Sequence, residues 1–294
     1  LAVAEGAAYV STNGTAWQRS ADLPVARLPV IQRIAFGGAT FLAVGQEPNP
    51  PPGSGHHWLV MASPDGITWS RHTGPTDAGE SHYLNAAAYG NGLYVVGGWS
   101  GLPTHQGLVL ISSDLTTWAP VTGFPASVVN GITYGQGKFV AVGSALVTSS
   151  DGVEWTKRGS ALPGGLSAVT FGADGFVAAG DSGLLLSSTD AIEWRQHTTT
   201  VDGFLGVTYG NGSFVAVGGF YTAIPRGVAV QSGGRPQVCL EAIGFGPAWD
   251  PGFRVVLTAE GVEEAWWNAP AATGLKMVYE PKYLRFFQAR FERK

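Results

Sequence analysis

At 294 residues the chain is long enough for one large domain or two smaller ones, each able to bury a sizeable core. Gly 43, Pro 18 and Trp 10 beside only 13% charged residues describe short strands and tight turns rather than helices. A net charge of −4 with scattered Lys and Arg excludes an electrostatic footprint for nucleic acid or anionic lipid, no apolar run reaches the roughly 18 residues of a membrane span, and the single Cys239 excludes an internal disulfide.

The chain opens on Leu1-Ala2-Val3-Ala4-Glu5, without the basic flank of a signal peptide, and Leu1 to Ala4 matches the later pattern Leu42-Ala43-Val44-Gly45. From there a unit recurs. Two aromatics five positions apart mark each copy: Phe36 and Phe41, Tyr89 and Tyr94, Tyr134 and Phe139, Phe171 and Phe176, Tyr209 and Phe214. Glycine follows the first aromatic each time (Gly37, Gly90, Gly135, Gly172, Gly210). Another closes the second strand (Gly45, Gly97, Gly143, Gly180, Gly218). Both sets are expected to supply the positive φ of hairpin turns.

A second signature, Ser-x-Asp-Gly-x-x-Trp, stands at Ser63 to Trp69 and Ser149 to Trp155. Variants carry Asn13 for Asp, Leu115 for Gly and Ala191 for Gly. Such a segment predicts a turn in which Asn13, Asp65, Asp114, Asp151 or Asp190 caps backbone N–H groups while the Trp packs between repeats. Four short strands per period of roughly 32 to 50 residues predict a β-propeller, all-β and six-bladed, with seven blades as the alternative. The propeller is expected over residues 1–236. The signatures lapse after Pro236, and alternating stretches such as Phe253 to Thr258 and Phe286 to Phe291 predict a small β-sandwich-like module over 237–294. The alternative is a closing strand or a seventh blade, because Leu240 to Gly246 is nearly superposable on Leu166 to Gly172.

These turns resemble the Asp boxes of bacterial neuraminidase-like, or sialidase-like, propeller repeats, one residue shorter than the usual Ser-x-Asp-x-Gly-x-Thr-Trp. The tail, with Gly252 to Thr258 and Arg285 to Arg290, looks like the C-terminal β modules of secreted planctomycete and verrucomicrobial proteins. The resemblance and the low charge imply an extracellular or cell-surface protein. It also implies two functional classes, glycoside hydrolases and non-catalytic binders. A sialidase-type site needs three arginines on or beside the inner strands, plus a Tyr/Glu pair. The inner strands offer only Arg33. The box aspartates repeat around the ring and cannot converge on one substrate, so no catalytic residue is assigned.

Variation is confined to one face, in Gln46 to Trp58, Gly98 to Gly107, Gly218 to Gly227 and His72 to Tyr83. Irregular aromatic loops on a rigid scaffold mark a binding face. The candidates there are Trp58, Trp99 and Tyr221, with His57, His105 and Arg226 as polar neighbours, for a protein or glycan partner or for self-association. Five of the six histidines fall in or beside these loops, but none has metal-ligand spacing, and neither metal nor cofactor is expected.

Overall fold

A computed structural model describes residues 2–220 except 5–6, 12–15, 25–28, 49–54, 74–80, 102–104, 160–161, 173–174, 198–202 and 211, and beyond them residues 226–232, 238–240, 255–257, 275–279 and 286–293. Every regular element among the described residues is a strand. The first sheet holds β1 (Ala2–Ala4), β2 (Ala7–Val10) and β3 (Gln18–Asp22), and the second β4 (Val30–Gly37), β5 (Thr40–Pro48), β6 (His56–Ser63) and β7 (Ser70–Thr73). The third is β8 (His82–Gly90), β9 (Leu93–Ser100), β10 (Gln106–Ser112) and β11 (Ala119–Pro120). The fourth is β12 (Val129–Gly135), β13 (Lys138–Gly143), β14 (Leu146–Ser149) and β15 (Thr156–Lys157). The fifth holds β16 (Leu166–Gly172), β17 (Gly175–Gly180), β18 (Leu185–Ser188) and β19 (Arg195–His197). The sixth begins with β20 (Phe204–Gly210), β21 (Ser213–Phe220) and β22 (Arg226–Ser232). Consecutive strands pair antiparallel, and the first strands β4, β8, β12, β16 and β20 lie side by side in turn. Antiparallel sheets packed face to face along a row of first strands make a β-propeller.

The tail joins this scaffold. After a short pair, β23 (Val238–Leu240) with β24 (Val255–Leu257), come β25 (Leu275–Tyr279) and β26 (Phe286–Arg293). β26 pairs with β22 and β25 with β26, so the sixth sheet runs β20-β21-β22-β26-β25. A hydrogen-bonded ladder therefore crosses the boundary expected after Pro236.

Each inner hairpin has one construction. The paired aromatics face each other across the turn with ring centroids 4.6 to 4.9 Å apart. Two left-handed residues, Asn91-Gly92 or Gln136-Gly137, make the tight connection whose twist suits a hairpin. A β-bulge recurs at Gln32, Asn85, Asn130, Ser167 and Leu205. Two of these extra residues reach the next sheet: Asn85 Nδ2 donates to the Val129 carbonyl and Asn130 Nδ2 to that of Leu166.

The recurrent glycines have another purpose than the one read from the sequence. None of Gly37, Gly90, Gly135, Gly172 and Gly210 has positive φ. A Cβ on Gly37, Gly90, Gly135 or Gly172 would instead lie 2.1 to 2.4 Å from the first aromatic of the following sheet (Tyr89, Tyr134, Phe171 and Tyr209). The second-strand glycines answer the bulge. A Cβ on Gly45, Gly98, Gly143, Gly180 or Gly218 would come within about 2 Å of a carbonyl oxygen at the start of the first strand. In the third sheet that residue is Gly98, opposite Leu84, rather than the expected Gly97.

Apolar side chains alternate to both faces of each sheet, so the core is a series of layers. One cluster joins the first and second sheets through Ala8, Leu23, Leu59, Met61 and Trp69, and another joins the second and third through Val44, Trp58, Val60, Leu84 and Val96. Corresponding clusters follow around Phe139, Phe176 and Phe204.

Candidate binding face

The Ser-x-Asp turns are built as caps. In the second sheet the Ser63 hydroxyl accepts from Gly66 N at 2.8 Å, and Asp65 Oδ1 accepts from Thr68 N at 2.7 Å and Ile67 N at 2.8 Å. The same bonds recur at Ser112-Asp114, Ser149-Asp151 and Ser188-Asp190. Trp69, Trp155 and Trp194 each return an indole N–H to the carbonyl at the glycine position. Leu115 and Ala191 accept positive φ where the other turns have glycine, and the buried Trp118 Nε1 has no hydrogen-bond partner among the described residues. Asn13 lies outside the described residues.

Backbone donors set the acidity of these caps. The N–H groups of Thr68 and Ile67 hold Asp65 at about 2, below its usual 3.8, and those of Thr117, Glu154 and Ile192 lead the same downward shift in Asp114, Asp151 and Asp190. A carboxylate held low in the fold stabilises it above the unfolded pKa and loses that contribution as pH falls toward the folded value. The melting temperature is therefore expected to drop between about pH 4 and pH 2. Asp65→Asn is expected to flatten that decline, and melting curves collected across the window check it. A slope identical to the parent's counts against the caps as its source.

The opposite ends of the sheets carry the variable segments, and the strands run further into all four than the sequence suggested. β5 runs on to Pro48 and β6 starts at His56, because Gln46, Glu47 and Pro48 continue the ladder against Trp58, His57 and His56. This corrects two candidates. Trp58, expected on the rim, is buried between the second and third sheets at 7% exposure, because its ladder position turns it toward Leu84 and Val96. His57, on the other face of β6, is buried with Nε2 3.3 Å from Glu47 Oε2.

Glu47 is the centre of a charged cluster. It is 1% exposed and ion-paired with Arg71, whose side chain keeps 31% exposure. Burial pushes the His57 imidazole down from its usual value, outweighing the pull of Glu47, and the nearby Arg71 charge acts in the same direction as burial. At neutral pH the His57 imidazole is therefore neutral beside the Arg71–Glu47 ion pair.

Trp99 and His105 do come together. Half-buried Trp99 stacks on Tyr83, its cross-strand partner, with centroids 4.0 Å apart and planes inclined by 20°. His105 packs on Trp99 at 4.3 Å. β9 runs between β8 and β10, so the two neighbours reach Trp99 from opposite sides. The run continues into the second sheet, where His56 lies 5.3 Å from Tyr83 with Nδ1 3.2 Å from its hydroxyl. Four rings, His56-Tyr83-Trp99-His105, thus bridge two sheets at the variable end, with His105 exposed. Tyr83 was not a candidate. The bulge at Asn85 shifts the register by one, and only with that shift does Tyr83 fall opposite Trp99. Tyr221 lies outside the described residues, and Arg226 is placed as the first residue of β22, opposite Phe220.

No protein-family model matches the chain. A 36-residue stretch is 72% identical to part of a tyrosine phenol-lyase from Nostoc punctiforme, covering 12% of this chain and 8% of that protein. Among solved structures, a chain of the nidogen/laminin complex is similar at a TM-score of 0.50 and 12% identity, over 74% of this chain and 80% of the other. The extracellular domain of BT4673 from B. thetaiotaomicron is similar at 0.50 and 9% identity, over 72% of this chain and 28% of that one. The WD40 β-propeller domain of Doa1 gives a TM-score of 0.48 at 9% identity, over 71% of this chain and 66% of that one. At such identities the likeness concerns the fold.

Proposed function

We propose that the chain is a non-catalytic extracellular or cell-surface propeller, read as six-bladed, that binds a protein partner through the variable end of its second and third sheets. The run His56-Tyr83-Trp99-His105 is the observation that carries this reading. Aromatic rings anchor protein interfaces when their neighbours hold them in place before the partner arrives. A sugar, in contrast, stacks on a free aromatic face, and Trp99 already stacks on Tyr83 with His105 packed against it at 4.3 Å. Protein is therefore favoured over glycan, and a second copy of this chain is one such protein. The repeated carboxylates favour a non-catalytic reading, because each of Asp65, Asp114, Asp151 and Asp190 is committed to its own turn.

A photo-crosslinking residue placed at His105, and in a second protein at Val153 in the Ser-x-Asp turns, tests the reading in extracts of the source organism and on the purified chain alone. Crosslinks to protein at His105 but not at Val153 are expected. Trp99→Ala is expected to weaken that complex by about 2 kcal/mol, roughly thirtyfold, while the fold persists. Equal crosslinking at both positions, or saturable glycan binding that Trp99→Ala abolishes, would overturn it.

A further inference from the structure

The two middle strands of the second sheet outrun their neighbours. Among the described residues β4 pairs with β5 no further than Gln46, and β7 pairs with β6 no further than Leu59. The pairs Glu47 with His57 and Pro48 with His56 therefore form a two-stranded ribbon beyond the four-stranded sheet. Two paired strands alone are marginal in water, and Pro48 has no N–H to give the last rung. The ribbon thus depends on its side chains. One face carries His56, the first ring of the aromatic run, and Trp58, buried in the layer against the third sheet. The other carries Glu47 and His57, buried beside the Arg71 guanidinium.

Among the described residues, the charged or titratable groups that face His57 are Glu47 from β5 and Arg71 from β7. The first sheet brings Ala8, Ala21 and Leu23 to that interface, its Arg19 and Asp22 pair with each other at the surface, and His56 lies on the ribbon's opposite face. An imidazolium here would be a second cation on a carboxylate already paired, and burial outweighs the attraction of Glu47. In an opened ribbon His57 meets water and titrates near its ordinary 6.5. The open form therefore binds the proton more readily. The closed ribbon loses stability as pH falls from about 6.5 toward the value at which the buried imidazole itself protonates.

We infer that Glu47, His57 and Arg71 form an acid-sensitive latch that keeps His56 in the aromatic run, so that mild acid opens the ribbon and releases the protein partner. The inference rests on the binding face proposed above. Its coupling is adjacency: His56 and His57 are consecutive on β6, and His56 gives Tyr83 both a ring contact and the Nδ1 contact to its hydroxyl. A ribbon that swings open withdraws that ring and leaves the Tyr83 hydroxyl without it.

Hydrogen exchange of the purified chain, read as NMR protection factors at about pH 7 and about pH 5.5, tests the latch without a partner. Amides of residues 46–47 and 56–58 are expected to lose protection severalfold relative to those of β13, and at most about tenfold for one proton over one pH unit. His57→Gln, neutral at both pH values, is expected to abolish the difference. In the parent the loss should end where the His57 ring signal itself titrates, a check that needs no variant to fold. No loss of protection, or one that continues below that pH, overturns the latch. Release is read from the photo-crosslinking residue at His105, a substitution that also removes that histidine's own titration. Its crosslink yield is expected to fall at least about threefold between the two pH values, and to hold steady when His57→Gln is added. A yield indifferent to pH while the ribbon opens, or a decline that His56→Gln abolishes and His57→Gln does not, overturns the coupling. Absence of any crosslink at about pH 7 overturns the binding reading and the release with it, while the exchange result still decides the latch.

Discussion

Arg71→Ala is expected to lower the unfolding free energy by about 2 to 3 kcal/mol near neutral pH, below the usual range for breaking a buried ion pair because Arg71 is partly open to solvent. The cost comes from what remains. Glu47 is 1% exposed, and without the guanidinium its buried carboxylate loses its cationic partner, since burial holds the neighbouring His57 imidazole neutral. Arg71→Ala combined with Glu47→Gln is expected to recover most of the loss, since no buried charge is then left unpaired. Chemical denaturation of the parent, both single variants and the double variant separates the coupling from simple truncation. A second readout is independent of stability. Arg71 is one of the charges that push His57 down, so its removal should raise the His57 pKa, as an NMR titration would show. Unchanged stability in Arg71→Ala together with an unmoved His57 would mean that Glu47 is not ionised where it lies.

The repeat was legible because its period and chemistry coincide. Paired aromatics five positions apart can only be the two sides of a tight hairpin, and each pair does face across its turn. The Ser-x-Asp turns were legible for the same reason, since every bond they make is local. What escaped is what depends on neighbours distant in sequence. Gly90 looks like a turn residue beside Asn91 and Gly92, yet its Cα faces Tyr134 of the next sheet, a contact that no local pattern encodes. Trp58 looked like a loop residue because Pro-rich sequence precedes it, but the strand had already begun at His56. The aromatic run was half visible. Trp99 and His105 stood in one variable segment, whereas Tyr83 and His56 join them only through the bulge and the packing of two sheets.

Three glycine substitutions separate the kinds of constraint that these repeats impose. Gly135→Ala is expected to cost about 2 to 3 kcal/mol, the upper part of the overpacking range. Its Cβ would stand 2.3 Å from Cγ and Cδ2 of Phe171, and that ring cannot retreat because it packs against Phe176, 4.9 Å away and 1% exposed. Gly137→Ala meets no neighbouring atom, but its φ of 73° belongs to the left-handed region, which costs an ordinary residue about 1 kcal/mol. Gly210 occupies the same repeat position as Gly135, yet a Cβ there meets nothing within 4 Å among the described residues and its φ is not positive. With neither penalty, Gly210→Ala is expected to be neutral, or to gain up to about 1 kcal/mol by restricting the unfolded chain. Phe171→Leu should cost stability alone but relieve part of the loss in Gly135→Ala, because the shorter side chain vacates the space that the new methyl needs. Denaturant midpoints of the four single variants and the Gly135→Ala, Phe171→Leu pair test the order. If Gly137→Ala proved the costliest, or if the pair were simply additive, the glycine after each aromatic would be a turn residue after all and the packing account would fail.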